Sequence, residues 1–439
     1  MRRIVAVSIR IAGNPGFLAF LLARFAGMFA TQIQAIAVAW QVYDETRDPM
    51  ALAWVGLAQF LPMLAFLIPA GDLIDRRARK PILMVSWIVA MFCAVALWWL
   101  SAGPMTHRLS GIYAVLFCFG CSRAFSGPTL QSLLPQIVPR EQLSQAIATN
   151  GMLMRAASIG GPLVGGFLHA WGGARVTYIV CALGFALGTF CLLRVQTPHA
   201  GPRAVVAADS TLWRRFRVGI CFIFRRPVIL GSISLDLFAV LLGGVVALLP
   251  IYARDILHTG ADGLGLLRSA IATGEICAGL YLSMHPLTRS VGRALFVAVV
   301  VFGLANLVFA LSSLFWLSFG VLAVAGAADM VSVYIRSALV QYATPDDMRG
   351  RVSAVNMLFI GSSNELGEFR AGVSAAWLGP TAAAILGSLC TLGVVALWTR
   401  WFQPLYQVDH FNSAGDDFSH ASSGGAMDNT HKSGCHGER

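Results

Sequence analysis

The sequence predicts an all-α integral membrane protein with about 12 transmembrane helices, arranged in two pseudo-symmetric six-helix bundles. Of its 439 residues, 57% are hydrophobic and only 12% are Asp, Glu, Lys or Arg. That charged share is about half of the usual globular value. The apolar residues also come in runs long enough to cross a bilayer, which takes about 20 residues of helix. Finally, the second half of the chain weakly repeats the first.

The apolar runs predict the position of each span. They lie at about residues 17–42, 51–70, 82–101, 111–130, 146–170, 174–194, 228–251, 264–284, 294–313, 315–339, 352–376 and 379–401. The eleventh run is the most polar. We therefore divide the chain into an N-terminal six-helix bundle (1–194), a cytoplasmic linker with an amphipathic helix (195–227), a C-terminal six-helix bundle (228–402) and a disordered cytoplasmic tail (403–439).

The internal repeat becomes visible when the chain is shifted by 206 residues. Gly120 then meets Gly326, Pro139 meets Pro345 and Asn150 meets Asn356. These matches surround the loops after the fourth and the tenth spans. Six spans followed by six similar spans are typical of a two-lobed carrier.

The net charge of +11 could indicate either nucleic acid or anionic lipid as a partner. The basic residues cluster before the first span, between the second and third spans, and in the central linker. This is the positive-inside asymmetry of a membrane protein. It places both termini and the linker in the cytoplasm of a bacterial cell, with a multi-pass chain in the inner membrane, and leaves no basic soluble face for nucleic acid.

A recognisable motif follows the second span and reads Gly71-Asp72-Leu73-Ile74-Asp75-Arg76-Arg77-Ala78-Arg79-Lys80. It resembles the signature of the major facilitator superfamily, G-x-L-x-D-R-x-G-R-R/K, with Ala78 in place of the second glycine. The matching residues that we assign to a gating motif are Gly71, Asp75, Arg76, Arg79 and Lys80. A carboxylate here can accept hydrogen bonds from a facing helix N-terminus, and the arginines can anchor the loop at the membrane surface. The resemblance implies the major facilitator fold.

The fifth span contains a second motif, Gly160-Gly161-Pro162-Leu163-Val164-Gly165-Gly166. It is similar to the antiporter motif of the same superfamily, through Gly161, Pro162, Gly165 and Gly166. Small residues allow close helix crossing. Together with short stretches such as Arg225-Arg226-Pro227, it resembles the drug/proton antiporter branch of enterobactin exporters and macrolide efflux proteins. The resemblance implies export of a siderophore, a macrolide or another drug or metabolite by proton antiport through alternating access.

Two alternatives to export remain open at this point. One is an importer of a small solute on the same fold, and the other is a non-transporting membrane sensor. ATP-driven transport is disfavoured because the chain has only two lysines, Lys80 and Lys432, and neither stands in a phosphate-binding glycine loop. Enzyme motifs are also lacking in the sequence, so we expect no enzyme, no metal and no cofactor besides the proton gradient. The expected partners are the substrate and the lipid bilayer, with a monomeric chain.

Ionisable residues within the spans are the candidates for coupling and substrate binding, because a charge in the bilayer costs about 3 kcal/mol or more. The alternative for each is a structural ion pair. We expect Asp329 to pair with Arg336, seven residues along the same helix face. Glu365 and Glu368 share a face as like-charged neighbours, and Arg370, two residues beyond Glu368, points to another face and neutralises them less well. The candidate set, with the two glutamates ranked first, is Glu365, Glu368, Asp329, Asp236, Arg123 and Arg24.

Overall fold

The computed structural model describes residues 15–102, 105–139, 142–196, 212–345 and 348–411, and all regular secondary structure in these ranges is helical. The helices are α1 Pro15–Thr46, α2 Pro49–Arg76, α3 Arg79–Leu100, α4 Met105–Ile137, α5 Leu143–Leu193, α6 Leu212–Phe224, α7 Pro227–Gly243, α8 Ala261–Met284, α9 Val291–Leu311, α10 Phe315–Tyr342, α11 Arg349–Leu378, α12 Pro380–Trp401 and α13 Gln403–Tyr406.

Helix α5 contains two of the predicted spans. It runs for 51 residues, but Gly173 inside it has φ 66° and ψ −172°, which are not helical values. Glycine adopts a positive φ readily because it has no Cβ. The chain reverses at this residue, so that the arms before and after it form the fifth and sixth spans.

The seventh span is broken near one end. Helix α7 ends at Gly243, and the chain continues through a 3₁₀ turn (Val246–Leu248), a single α-helical turn (Leu249–Ile251) and a π-helix (Tyr252–Ile256). Two consecutive glycines and Pro250 explain the break, because glycine disfavours a helix interior and proline lacks the amide hydrogen that the helix needs. The π-helix places Arg254 and Asp255 at the end of the bundle.

Within the described residues, nine helical stretches are long and apolar enough to cross a membrane. One of them is the two-armed α5. The long helices outside this group are α8 and α11, which contain Arg268 and Glu275, and Glu365 and Glu368, respectively. With these two helices and both arms of α5, the described ranges contain the expected twelve spans, and the predicted all-α membrane fold is confirmed.

The two bundles meet through two helix pairs. In the N-terminal bundle, α1 packs along α5, and α4 packs against both α2 and α3; in the C-terminal bundle, α10 packs against α8 and α9, and α12 against α7 and α9. Between the bundles, α5 contacts α8 and α2 contacts α11. We call the end of the molecule that carries α6 the linker face, and the end that carries residues 47–48 and the π-helix the opposite face.

The linker and the C-terminal segment lie on the linker face. Helix α6 falls within the segment predicted to form an amphipathic linker helix. Residues 403–411 were assigned to a disordered tail, yet they form α13 and continue along α9, where the amide of Gly292 donates to the Val408 carbonyl at 2.9 Å. The buried side chain of Leu405 holds this segment in place. The folded chain thus extends past the predicted boundary, and the rest of the predicted tail, 412–439, lies outside the described residues.

Candidate functional site: a charged cavity between the bundles

Two adjacent cavities lie between the bundles, near the middle of the spans. The larger has a volume of about 410 Å³, and the smaller about 150 Å³. They share part of their lining, namely Gln32, Val246, Arg268, Glu365 and Glu368. The larger volume is in the range of ligand pockets, roughly 300–1,000 Å³.

The structure brings three of the predicted carboxylates to this cavity. Asp329 from α10 and Glu365 and Glu368 from α11 line its larger part. A fourth carboxylate, Glu275 from α8, lines the same part. Each of these residues lies near the middle of its helix rather than at an end. Carrier sites for substrates and coupling ions lie at this depth.

Two ion pairs cross the cavity from one bundle to the other. Arg155 of α5 contacts Glu275 of α8 with 2.5 Å between Nη1 and Oε2, and Arg123 of α4 contacts Glu365 of α11 at 3.6 Å. Arg123 also reaches the amide oxygen of Gln59 at 3.5 Å. Protonation of either carboxylate would remove one charge of a pair that joins the two bundles. The arrangement can therefore link a proton to the relative position of the bundles.

The expected pairing of Asp329 with Arg336 is wrong. Arg336 forms its ion pair with Asp236 of α7, and both side chains are buried, with 2% and 9% of their surface exposed. Residues seven apart do share a helix face, but the long Arg336 side chain turns toward α7 and away from the short side chain of Asp329. Asp329 consequently faces the cavity, whereas Asp236 is a partner in a buried pair outside it.

Arg24 lies on the same face of α1 as Thr31, seven residues further along, which lines the smaller cavity. The Arg24 side chain is half-buried. Arg24 lies between the cavity and the linker face. It is therefore at the entrance to the cavity and not in its wall.

The predicted gating motif lies at the linker face, where its basic side chains bind the ends of other helices. Arg79 donates to the Ser132 carbonyl of α4 at 2.7 Å, and Lys80 donates to the carbonyls of Leu193 and Val195 at 3.0 and 2.9 Å. Cations stabilise helix C-termini, where carbonyl groups lack helical partners. Arg76 pairs with Asp72 one turn earlier at 2.8 Å.

Gly71 lies within the last turns of α2. The backbone of Asp75 belongs to the same helix, but its side chain lies outside the described part of the structure. Its gating role stays a prediction.

The antiporter-like motif allows α5 to approach two helices closely. A Cβ on Gly161 would come within 2.5 Å of the Gln32 Cβ, and one on Gly165 within 3.0 Å of the Ile33 Cα, both on α1. A Cβ on Gly166 would meet the Ala261 carbonyl oxygen at 2.5 Å, next to Gly265 of α8. A Cβ on Gly265 would likewise come within 2.5 Å of the Pro162 carbonyl oxygen. Half of the motif thus packs within the N-terminal bundle, and half packs across to the other bundle.

A polar cluster joins the bundles at the opposite face. Arg47 pairs with Asp255 at 3.0 Å, and Arg254 pairs with Asp44 at 2.5 Å. The Tyr43 hydroxyl donates to Asp255. Because Asp44 and Arg47 belong to the end of α1 and its loop, and Arg254 and Asp255 to the π-helix, the cluster ties the two bundles together. Together with the close α5–α8 contact, it closes this face.

Three charged residues at the cavity are not in the predicted candidate set. Glu275 and Arg268 line the larger cavity, and Arg155 pairs with Glu275 from near the middle of the first arm of α5. Their signal was present, because all three are charges within apolar spans. The glutamines Gln32 and Gln34 were missed altogether, because an uncharged polar residue in a span gives little signal.

Residues 13–423 match the profile of a family described as transmembrane secretion effectors. A protein of Citrobacter koseri described as an enterobactin exporter is 27% identical over 377 residues, which cover 84% of this chain and 88% of the relative. An Escherichia coli protein with the same description is 27% identical over 392 residues, covering 88% and 91% of the two chains.

Solved transporters share the fold. A bacterial homologue of the iron transporter ferroportin, in an inward-facing state, has a TM-score of 0.67 at 17% identity and covers 89% of this chain and 98% of its own. A bacterial homologue of the lysosomal transporter Spinster, also inward-facing, has a TM-score of 0.67 at 13% identity, with 91% and 97% covered. These relatives and neighbours are transporters rather than enzymes.

Proposed function

Because the chain belongs to the transmembrane secretion effector family of the major facilitator superfamily, and is thus a secondary transporter that exports a small molecule, we propose that it does so by proton antiport. Its location is the bacterial inner membrane, with the linker face and both termini in the cytoplasm. The substrate is a siderophore, a macrolide or a related metabolite, in line with the enterobactin exporters that the chain is similar to. One chain forms the whole cavity, so the working unit is a monomer.

The observation that carries the proposal is the set of carboxylates in the cavity that pair across the bundles. Glu275 and Glu365 each face an arginine of the other bundle, and Asp329 and Glu368 lie on the same cavity wall. Protonation from outside would neutralise a carboxylate and weaken a bridge between the bundles. Proton release to the cytoplasm would restore it. Each proton cycle would thereby switch the two bundles once between the inward-open and the outward-open arrangement, as coupled alternating access requires.

In this structure the opposite face is closed, which matches a state open to the cytoplasm. Substrate would enter the cavity past Arg24 from the linker face. The ion pairs at the opposite face would then break as the bundles rock, and the substrate would leave on that side.

The substrate can be identified by profiling metabolites inside and outside cells with and without the gene. We expect one compound to accumulate inside the cells that lack it. Purified protein in proteoliposomes should then concentrate that compound when a pH gradient is imposed. The proposal is contradicted if, in cells, the protein takes the compound up as efficiently as it exports it.

The coupling residues can be tested in the same liposomes. Glu365→Gln and Glu368→Gln should abolish accumulation driven by the pH gradient, yet leave exchange down a substrate gradient intact, because they remove the protonatable group but little volume. Asp409→Asn, at an exposed carboxylate of the C-terminal segment, is the matched control and should behave as wild type. If both glutamine variants still concentrate substrate, whereas Asp329→Asn or Glu275→Gln does not, then Asp329 and Glu275 form the coupling site instead of Glu365 and Glu368.

A further inference from the structure

Gln34 of α1 has a side-chain amide without a partner among the described residues. The residue is 2% exposed, and both its Nε2 and its Oε1 are buried with no hydrogen bond. Buried polar groups in proteins are nearly always paired, because an unpaired group loses its bonds to water and gains nothing in return. An orphaned amide on the wall of a cavity therefore points to a missing ligand.

Two other glutamines of the same bundle have hydrogen-bond partners within the protein. Gln41, two turns further along α1, donates to Glu45 at 2.9 Å and accepts from the Tyr178 hydroxyl at 2.7 Å. Gln59 of α2 donates to the Val55 carbonyl at 3.3 Å and accepts from Arg123. Gln59 lines the same cavity as Gln34, so of these two cavity glutamines only Gln34 has an amide without a partner among the described residues.

The cavity that Gln34 lines suits a small neutral polar group. Its volume of about 150 Å³ corresponds to about five water molecules at roughly 30 Å³ each. Its charged residues are two arginines, Arg123 and Arg268, and two glutamates, Glu365 and Glu368, whose formal charges cancel. Leu52, Val55, Leu116 and Phe119 supply apolar walls. When all four are ionised the lining has no net formal charge, so an uncharged polar group can enter without unbalancing it.

We propose that this small cavity is a subsite for an amide-type end group of the substrate, such as a carboxamide or a hydroxamic acid. In such a group a carbonyl oxygen and an N–H or N–OH hydrogen lie side by side. The carbonyl accepts from Gln34 Nε2 while the N–H or O–H donates to Gln34 Oε1. A carboxylate or phenolate lacks the donor, and an ammonium group lacks the acceptor.

The subsite lies next to the larger cavity and shares Arg268, Glu365 and Glu368 with it. We infer that a substrate whose body occupies the larger cavity extends its amide end between these side chains to Gln34. In this sense the inference rests on the proposed function, because the transported molecule is the ligand. It deepens that function by assigning a substrate class that the family relationship leaves open.

The test uses the full chain in lipid nanodiscs and three probes of nearly equal size: benzamide, benzohydroxamic acid and methyl benzoate. Methyl benzoate keeps the carbonyl acceptor but has no donor. Binding is measured by saturation-transfer NMR titration. We expect benzamide and benzohydroxamic acid to bind about tenfold more tightly than methyl benzoate, the effect of about one hydrogen bond to a buried, otherwise unpaired group.

Two variants locate the preference at Gln34. Gln34→Leu and Gln34→Met remove the amide and keep most of its volume, so both should bind the three probes equally. They should also fold at least as well as wild type, because each removes buried unpaired polar atoms. Gln131→Leu, at an exposed site on α4, is the matched control and should keep the preference.

Equal binding of all probes by wild type would overturn the proposal, as would a preference that survives both Gln34 variants. A lower melting temperature of both variants, without any probe preference, would identify Gln34 as a structural residue bonded to buried water and would also overturn it. The two proposals fail separately. Probe selectivity in a protein that exports nothing would refute the proposed transport and leave the subsite, whereas export without selectivity would refute the subsite alone.

Discussion

At the scale of single residues, the choice of partner separates structural charges from functional ones. Arg336 is on the same helix as Asp329 but pairs with Asp236 of α7, and this pair is buried away from the cavity. Arg155 and Arg123 instead pair with Glu275 and Glu365 across the bundles. A charge whose partner moves relative to it can take part in a transport cycle. One whose partner lies in the same bundle stabilises that bundle.

The buried pair gives a stability prediction. Asp236→Asn should destabilise the protein by about 3–5 kcal/mol, because it leaves the Arg336 charge buried and uncompensated. Adding Arg336→Met to that variant should recover most of the loss. The exposed pair of Asp72 and Arg76 is the matched control, and Asp72→Asn should cost at most about 1 kcal/mol. Melting temperatures of the purified variants in detergent provide the measurement, and an Asp236→Asn variant as stable as wild type would contradict the assignment.

At the scale of the elements, the glycines of α5 decide how closely the bundles approach. Gly166 faces the backbone of Ala261 and Gly265 on α8, with no room for a side chain. In contrast, a Cβ on Gly151 of the same helix would meet no atom within 4 Å. The two glycines are chemically identical in the sequence, and only their neighbours distinguish them.

We therefore expect Gly166→Val to hinder closure at the opposite face. Overpacking at a close contact costs about 1–3 kcal/mol, which corresponds to a shift of about 5- to 140-fold between conformations. Export should fall accordingly, while the protein still reaches the membrane. Gly151→Val should export normally. The shift is measured with a cysteine introduced at residue 32, in the cavity. A membrane-impermeant thiol reagent added outside the cell should label this cysteine more when closure of the opposite face is hindered. Equal export and labelling in both variants would show that this contact does not control closure.

At the scale of the whole molecule, the two bundles touch closely on one side of the cavity. The polar cluster of α1 and the π-helix lies on that side, as does the α5–α8 contact. Such a one-sided closure around a central site is what alternating access requires. Helix α6 of the linker lies on the other side.

The orientation in the membrane follows from the arginine distribution and can be tested directly. Reporter fusions near residues 78, 140, 210, 290 and 348 should report a cytoplasmic location, and fusions near 47, 106 and 258 the other side, because basic loops are retained in the cytoplasm. Removing the basic residues 214, 215 and 217 should weaken the retention of the linker. An exported reporter at residue 210 would invert the assignment and, with it, the direction of substrate entry.

The sequence by itself determined the membrane class, the number of spans and the family, because apolar runs, arginine-rich loops and the two glycine-containing motifs are local signals. It also identified Glu365, Glu368 and Asp329 as unusual charges in a bilayer. Only the tertiary structure decided which of the charges meet. The pairing of Arg336 with Asp236, the bridges from Arg155 and Arg123 to the other bundle, and the unpaired amide of Gln34 all depend on contacts between distant helices. Side chains on one helix face can turn toward different neighbours, and no periodicity along the chain records which neighbour is in reach.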